Sequence, residues 1–296
     1  MRFRRPIRQW QVGGQRAGRP LAIELGQRTW LMAILNATPD SFYAASRTPG
    51  PNAVAAAAVR AAAAGADLID LGGESTRPGA QPVPVEDEQQ RLIPAIVAVR
   101  HALPDMLISA DTRHAATAAR ALAAGADIIN DVTGLEDPEM AALIARSGCG
   151  AVLMHHRGEF RTMQRLPPLA DPLGCVRQGL EAIAGRARTA GIAAAQVVLD
   201  PGFGFGKNLD ENLPVLAGLD ELHALGYPLL AGLSRKSFLR PTAPPGNDAP
   251  ESRLEASLAA ATAAVLAGVH LLRVHDPAPT RAAVAFADRL LLAGLQ

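Results

Sequence analysis

In GADLIDLGGESTRPGA, residues 65–80, a glycine stops a helix, a short apolar strand follows, and a polar turn closes the unit. The strand, ADLIDL at 66–71, is apolar almost without alternation. That is the pattern of a strand covered on both faces, as in a parallel sheet. The unit recurs along the chain as TWLMAIL (29–35), MLISA (106–110), DIIN (127–130), AVLM (151–154), VVLD (197–200), PLLAGL (228–233) and VHLLRV (269–274). Alanine- and leucine-rich segments of helical length separate these runs. The segment from Glu86 to Ala102 opens with Glu86, Asp87 and Glu88, which suit the positive end of a helix dipole. The segment 251–267 spaces Leu254, Leu258, Ala261 and Val265 at helical intervals, and Gly125-Ala126 marks another helix stop like Gly65-Ala66. Eight such units predict an α/β fold, a single (β/α)8 TIM barrel over residues 29–296. An open doubly wound sheet is the alternative.

Residues 1–28 form an N-terminal extension. It is basic, lacks the apolar run of a signal peptide, and is expected to be a loosely held, solvated arm. No run of about 18 apolar residues predicts a membrane span. The Pro/Gly-rich stretch 241–250 reads as a surface loop. The formal net charge of +1 argues against a general nucleic-acid binder, because such proteins carry a basic excess. Cys149 and Cys175 are too few for a disulfide scaffold and are expected to be free thiols in a reducing, cytoplasmic setting.

Polar residues collect at one end of the strands. Asn36 follows the first; Glu74, Ser75, Thr76 and Arg77 the second; Asp111 and Thr112 the third; Asn130 and Asp131 the fourth. His155 and His156 follow the fifth, Asp200 ends the sixth, Ser234, Arg235 and Lys236 follow the seventh, and Arg273 and His275 end the eighth. Any one of these has a bland reading as a turn former or helix cap. The set is better explained by one pocket, since the βα loops of a barrel converge at the carboxyl ends of its strands. Arg77, Arg235, Lys236, Arg273 and His275 suit a polyanion, and Asp111, Asp200 and Asn130 suit the edge of an amino-heterocycle. DPGFGFGK at 200–207 lacks the spacing of a phosphate loop. It reads as a tight glycine turn with Phe203 or Phe205 offering a ring face. His155 and His156 are adjacent on a strand, so they point to opposite faces and cannot readily share a metal.

The runs ILNATPDSF, DLGGESTRPGA, ISADTR, INDVTG, VLMHHRG, LDPGFGFGKN, GLSRKSFL and LRVHDP together resemble the signature blocks of the dihydropteroate synthases, in family order, over residues 31–280. The resemblance implies condensation of a hydroxymethyl-dihydropterin pyrophosphate with p-aminobenzoate, with loss of pyrophosphate. It implies Mg²⁺ held by Asn36, and phosphates bound by Thr76, Arg273 and His275. It implies a pterin held by Asp111, Asn130, Asp200 and Lys236 and packed on by Met154 and Phe205. Ser237, Arg77 and the start of a helix after Lys236 would face the aminobenzoate carboxylate. Asp111, Lys236, Arg273 and His275 are the expected catalytic set, with Arg235 beside them as a substrate-facing cation. The resemblance also implies a homodimer, with which the apolar terminal helix at 280–294 is compatible. After PDSF the family pattern often runs Ser-Asp-Gly-Gly, whereas here Tyr43, Ala44, Ala45 and Ser46 stand. Residues 39–46 are expected to be a mobile cover whose closing limits turnover. A pterin-dependent methyl-transfer domain and a pterin-binding paralogue without synthase activity are the competing readings.

Overall fold

The computed structural model describes residues 5–13, 21–37, 50–74, 83–242 and 249–293. Eight parallel strands form the core: β3 (Trp30–Asn36), β4 (Leu68–Gly72), β5 (Leu107–Asp111), β6 (Ile128–Asp131), β7 (Gly150–Met154), β8 (Val197–Asp200), β9 (Leu230–Ala231) and β10 (Leu271–Val274). They follow β1 (Arg8–Val12) and β2 (Leu21–Leu25), an antiparallel pair. The sheet order is β8-β7-β6-β5-β4-β3-β10-β9, and a parallel bridge between Leu199 and Leu229 joins its two ends. The outer ring consists of α1 (Pro51–Ala63), α2 (Val85–Ala102), α3 (Ala115–Ala123), α4 (Pro138–Ser147), α5 (Pro172–Thr189), α6 (Leu209–Ala217), α7 (Leu254–Leu266) and α8 (Pro277–Ala293). This is the predicted (β/α)8 barrel rather than an open sheet.

Two local features explain the strand and helix limits. Gly65 and Gly125 end their units with φ of +93° and +109°, conformations open to glycine at little cost. The seventh barrel strand is shorter than PLLAGL suggests. The Leu229 N–H, which would extend it, donates instead to Nδ1 of the buried His270 ring at 3.1 Å.

Alternation along the strands divides the interior. Ile69, Leu71, Ile108, Ala110, Ile129 and Leu153 face the helices in the main core. Met32, Leu68, Leu107, Ile128, Val152, Val198, Leu230 and Leu271 form a separate apolar layer inside the barrel, one residue from each strand. That layer is capped by Trp10, Val12, Ile23 and Leu25 of the hairpin. Residues 8–12 and 21–25 are therefore not the loose, solvated arm expected from the sequence. Trp10 is fully buried, and its indole N–H donates to the Gln196 carbonyl at 3.0 Å. A basic segment without a long apolar run still supplies alternate apolar residues, Trp10 and Val12 against Ile23 and Leu25, and these close the amino-terminal mouth of the barrel. Arg5 adds a tether to the last helix, donating to Asp288 at 2.8 Å.

No helix among the described residues is long and apolar enough to cross a membrane. Trp10→Ala should cost about 3–5 kcal/mol of unfolding free energy, the usual penalty for emptying a buried aromatic site. Denaturant unfolding of the two proteins checks this, and equal midpoints would return the hairpin to the status of a dispensable arm.

Candidate active site

Above the apolar layer, the same inward positions turn polar. β4 runs Leu68, Asp70, Gly72; β5 runs Leu107, Ser109, Asp111; β10 runs Leu271 to Arg273. Asp70 pairs in register with Ser109, and Asp111 with Asn130. Arg273 crosses the barrel to meet them. Its Nε donates to Asp70 Oδ2 at 2.6 Å and its Nη2 to Asp111 Oδ2 at 2.5 Å. Asn130 Nδ2 donates to the same Asp70 oxygen at 3.2 Å.

Two carboxylates share this one guanidinium. Burial opposes the charge on Arg273, but Asp70 and Asp111 together outweigh it and hold the group firmly protonated. Burial pushes the Asp111 carboxyl up to about 7 against the pull of Arg273, and the Asp70 charge adds to the push. Breaking such a buried cluster leaves an uncompensated charge, so its geometry is held tightly.

A cavity of about 210 Å³ opens beside it. Asn36, Asp111, Phe205, Arg235, Lys236, Ser237, Arg273 and His275 line it, together with Ser234, Met163 and Arg253. Burial of the Lys236 amine lowers it to about 8, although Asp200 pulls the other way. Its Nζ sits 4.1 Å from the centroid of the Phe205 ring, within cation–π range. That ring is carried on the glycine turn. Gly202, Gly204 and Gly206 all have φ near +70° (67°, 77° and 69°), and a Cβ on Gly202 would meet the His155 carbonyl oxygen at 1.8 Å. Asp200 accepts from the Gly202 N–H at 2.7 Å, and burial raises its pKa above the usual carboxylate range. Beneath the turn, the buried Lys207 amine donates to the carbonyls of Gly202 and Phe205 at 2.8 and 3.0 Å. On the far side His275 is held by Ser234, whose hydroxyl accepts from the His275 N–H at 3.2 Å and lies 3.1 Å from its Nδ1.

Comparisons with known proteins identify the family. A family model described as pterin binding enzyme matches residues 32–275. Dihydropteroate synthase from Escherichia coli strain K12 is 42% identical over 267 residues, covering 89% of this chain and 92% of its own. The chain belongs to the dihydropteroate synthases. A structure of Burkholderia cenocepacia dihydropteroate synthase complexed with 7,8-dihydropteroate superposes with a TM-score of 0.84 at 39% identity, covering 98% of this chain and 99% of that one. A Mycobacterium leprae protein named inactive dihydropteroate synthase 2 is also 42% identical over 272 residues, covering 89% of this chain and 90% of its own.

Most expected site residues of this synthase family member converge. Asn130, Met154 and Asp200 are not on the cavity wall but lie buried on adjoining strands, with Met154 opposite Asp200 in register and packed against Phe205 and Met163. Of the two candidate rings, Phe205 faces the cavity, while Phe203 stacks on Phe238 in the core. The two histidines part as expected: His155 is buried near Gly179 of α5, and His156 stacks on Phe160 and pairs with Glu136. Thr76, Arg77 and the first-loop segment 39–46 lie outside the described residues.

One expectation needs correction. The element that directly follows Lys236 is not an α-helix. Ser237–Thr242 form a 3-10 turn, and α7 starts only at Leu254. Pro241 removes a donor where an α-helix would need it. Asp70 and Lys207 were not singled out from sequence. The signal for Asp70 was a carboxylate inside an apolar strand, and for Lys207 a lysine directly behind a run of glycines.

The Asp111 shift has a sign that can be measured. Its carboxyl titrates at about 7 folded against 3.8 as a free group, so the folded chain holds the extra proton between those values. Its contribution to stability is full at low pH and is lost as pH rises through about 7. Asp111→Asn should flatten that decline when unfolding free energies at about pH 5 and about pH 8 are compared. An unchanged pH slope in the variant would contradict the assignment.

Proposed function

We propose that this chain condenses 6-hydroxymethyl-7,8-dihydropterin pyrophosphate with p-aminobenzoate to give 7,8-dihydropteroate and pyrophosphate. The observation that carries this reading is a cavity in which a buried carboxylate and several cations stand side by side: Asp111 with Arg273, Lys236 over Phe205, and His275 at the wall. Asp111, Asn130 and Asp200 supply acceptors and an amide for the aminopyrimidine edge. Phe205 and Met154 pack on the flat ring. Arg273 and His275 face the leaving pyrophosphate, where negative charge develops as the C–O bond breaks, and Lys236 faces the pterin. The amine nitrogen of p-aminobenzoate forms the new bond to the exocyclic carbon and then loses a proton. Ser237 and Arg77 are assigned to its carboxylate, and Thr76 to the phosphates.

The donor set fits Mg²⁺ bound chiefly through the substrate. Among the described residues no group of three or more His, Cys, Asp or Glu side chains is placed to hold a metal. Magnesium bound to phosphates needs only one or two protein oxygens. The Asn36 side-chain oxygen supplies one at the cavity wall, beside Gly72 and Asp111. When bound, the ion neutralises charge on the departing pyrophosphate.

A homodimer is proposed on α8, where Phe286 is 72% exposed and Leu290, one turn on, is 40% exposed. A cytoplasmic setting is proposed on the two cysteines, Cys149 and Cys175, both unpaired. The relative named inactive keeps a second reading in view, that of a paralogue that binds pterin without turnover.

Incubation of the purified protein with both substrates and Mg²⁺ should yield dihydropteroate and pyrophosphate. Binding of the pterin pyrophosphate without any product would favour the paralogue, and no binding at all would overturn the proposal. Asp200→Asn keeps the shape but removes a charge-assisted bond, so pterin affinity should fall roughly tenfold. Calorimetry showing undiminished affinity in a folded variant would remove Asp200 from the pterin site.

A further inference from the structure

The sequence groups Arg235 with the cations that face a substrate, but its guanidinium is committed elsewhere. Nε and Nη2 donate to the two oxygens of Asp276 at 2.9 and 2.6 Å, and Nη1 donates to Glu251 at 3.1 Å. The backbone is equally constrained. Its N–H donates to Ser257 Oγ at 2.9 Å, and its carbonyl accepts from Arg253 Nη1 at 2.9 Å. Its φ is +57°, and only Leu135 shares a positive value among the described non-glycine residues. A side chain in the left-handed region is costly and persists where the surroundings over-determine it.

The residues flanking Arg235 show what that constraint serves. Ser234, just before it, holds the backbone and ring of His275. Lys236, just after it, lies over Phe205. Ser234–His275 and Arg235–Asp276 are thus adjacent rungs between the turn after β9 and the turn after β10. The first rung lies within the cavity wall, and the second is the bidentate ion pair beside it, with Arg235 also at the wall.

We propose that Arg235 and Asp276 are positioning residues that fix the separation of Lys236, on the pterin side, from His275, on the phosphate side. The inference rests on the synthase reading given above. Arg235 acts through its planar fork and its left-handed backbone, not through contact with substrate. A lysine retains the charge but cannot reproduce two parallel bonds to one carboxylate. An asparagine at 276 retains the shape but loses the ionic half of the pair.

The test uses full-length wild type, Arg235→Lys, Asp276→Asn and the double variant. Steady-state rates, circular-dichroism melting and calorimetry with the pterin pyrophosphate and with the free pterin alcohol are measured for each. The expected result is folded variants whose kcat falls roughly ten- to hundredfold, as small misplacements of reacting groups do. The Michaelis constant for p-aminobenzoate should stay within about twofold. The double variant should lose no more than the worse single variant, because both changes break one link. Unchanged kcat in both single variants overturns the proposal. So do additive losses in the double variant, or unfolding of both single variants, which would make the pair a structural bridge. If the wild type has no turnover, the synthase reading falls, and calorimetry decides the positioning claim separately. Weaker binding of the pyrophosphate ester than of the alcohol in the variants supports it, and equal changes for the two ligands overturn it.

Discussion

The interaction on which the site depends is the fork of Arg273 across Asp70 and Asp111. It joins the eighth barrel strand to the second and third, and it places a fixed cation against two carboxylates beside the cavity. One guanidinium cannot fully satisfy two buried carboxylates, so Asp111 stays poised between its charged and neutral forms near neutral pH. A ligand that donates hydrogen bonds to these carboxylates relieves that imbalance. The unliganded cluster is therefore strained electrostatically in the direction that favours binding.

The layering of the barrel makes this arrangement possible. Directly below the polar layer is the ring of Met32, Leu68, Leu107, Ile128, Val152, Val198, Leu230 and Leu271, sealed by Trp10 and its hairpin partners. Water is kept from the cluster on that side, and the local dielectric stays low. Low dielectric strengthens each paired charge and penalises each unpaired one, which gives the side chains few alternative positions. One apolar layer, a single residue from each strand, thus separates the plug at one mouth from the polar cluster above it. The glycine turn contributes in the same way from the side. Lys207 gathers two of its carbonyls from below, so the Phe205 ring stays beneath Lys236.

The barrel was legible because buried parallel strands are apolar on both faces, and their polar ends mark the common mouth. Asp111, Lys236, Arg273 and His275 were legible for that reason. The hairpin was not, because its apolar residues alternate over only five positions within a basic segment. Asp70 was hidden by the same apolar pattern that revealed its strand: one inward carboxylate among outward-facing apolar residues does not alter the local hydropathy enough to stand out. Arg235 was legible as a cation at the cavity, but its ion pair with Asp276 was not, because the direction of the side chain depends on a backbone angle that the sequence SRK does not display. The helix expected after Lys236 came with the family resemblance, whereas Ser237–Thr242 form a 3-10 turn that contains Pro241.

The central claim is that Arg273 organises the cavity through its planar, two-armed geometry and not through charge alone. Calorimetric titration of a folded Arg273→Lys variant with the pterin pyrophosphate tests this most directly. The account predicts at least roughly tenfold weaker binding, because an ammonium cannot span both carboxylates and face the ligand at once. Binding indistinguishable from the wild type would contradict it.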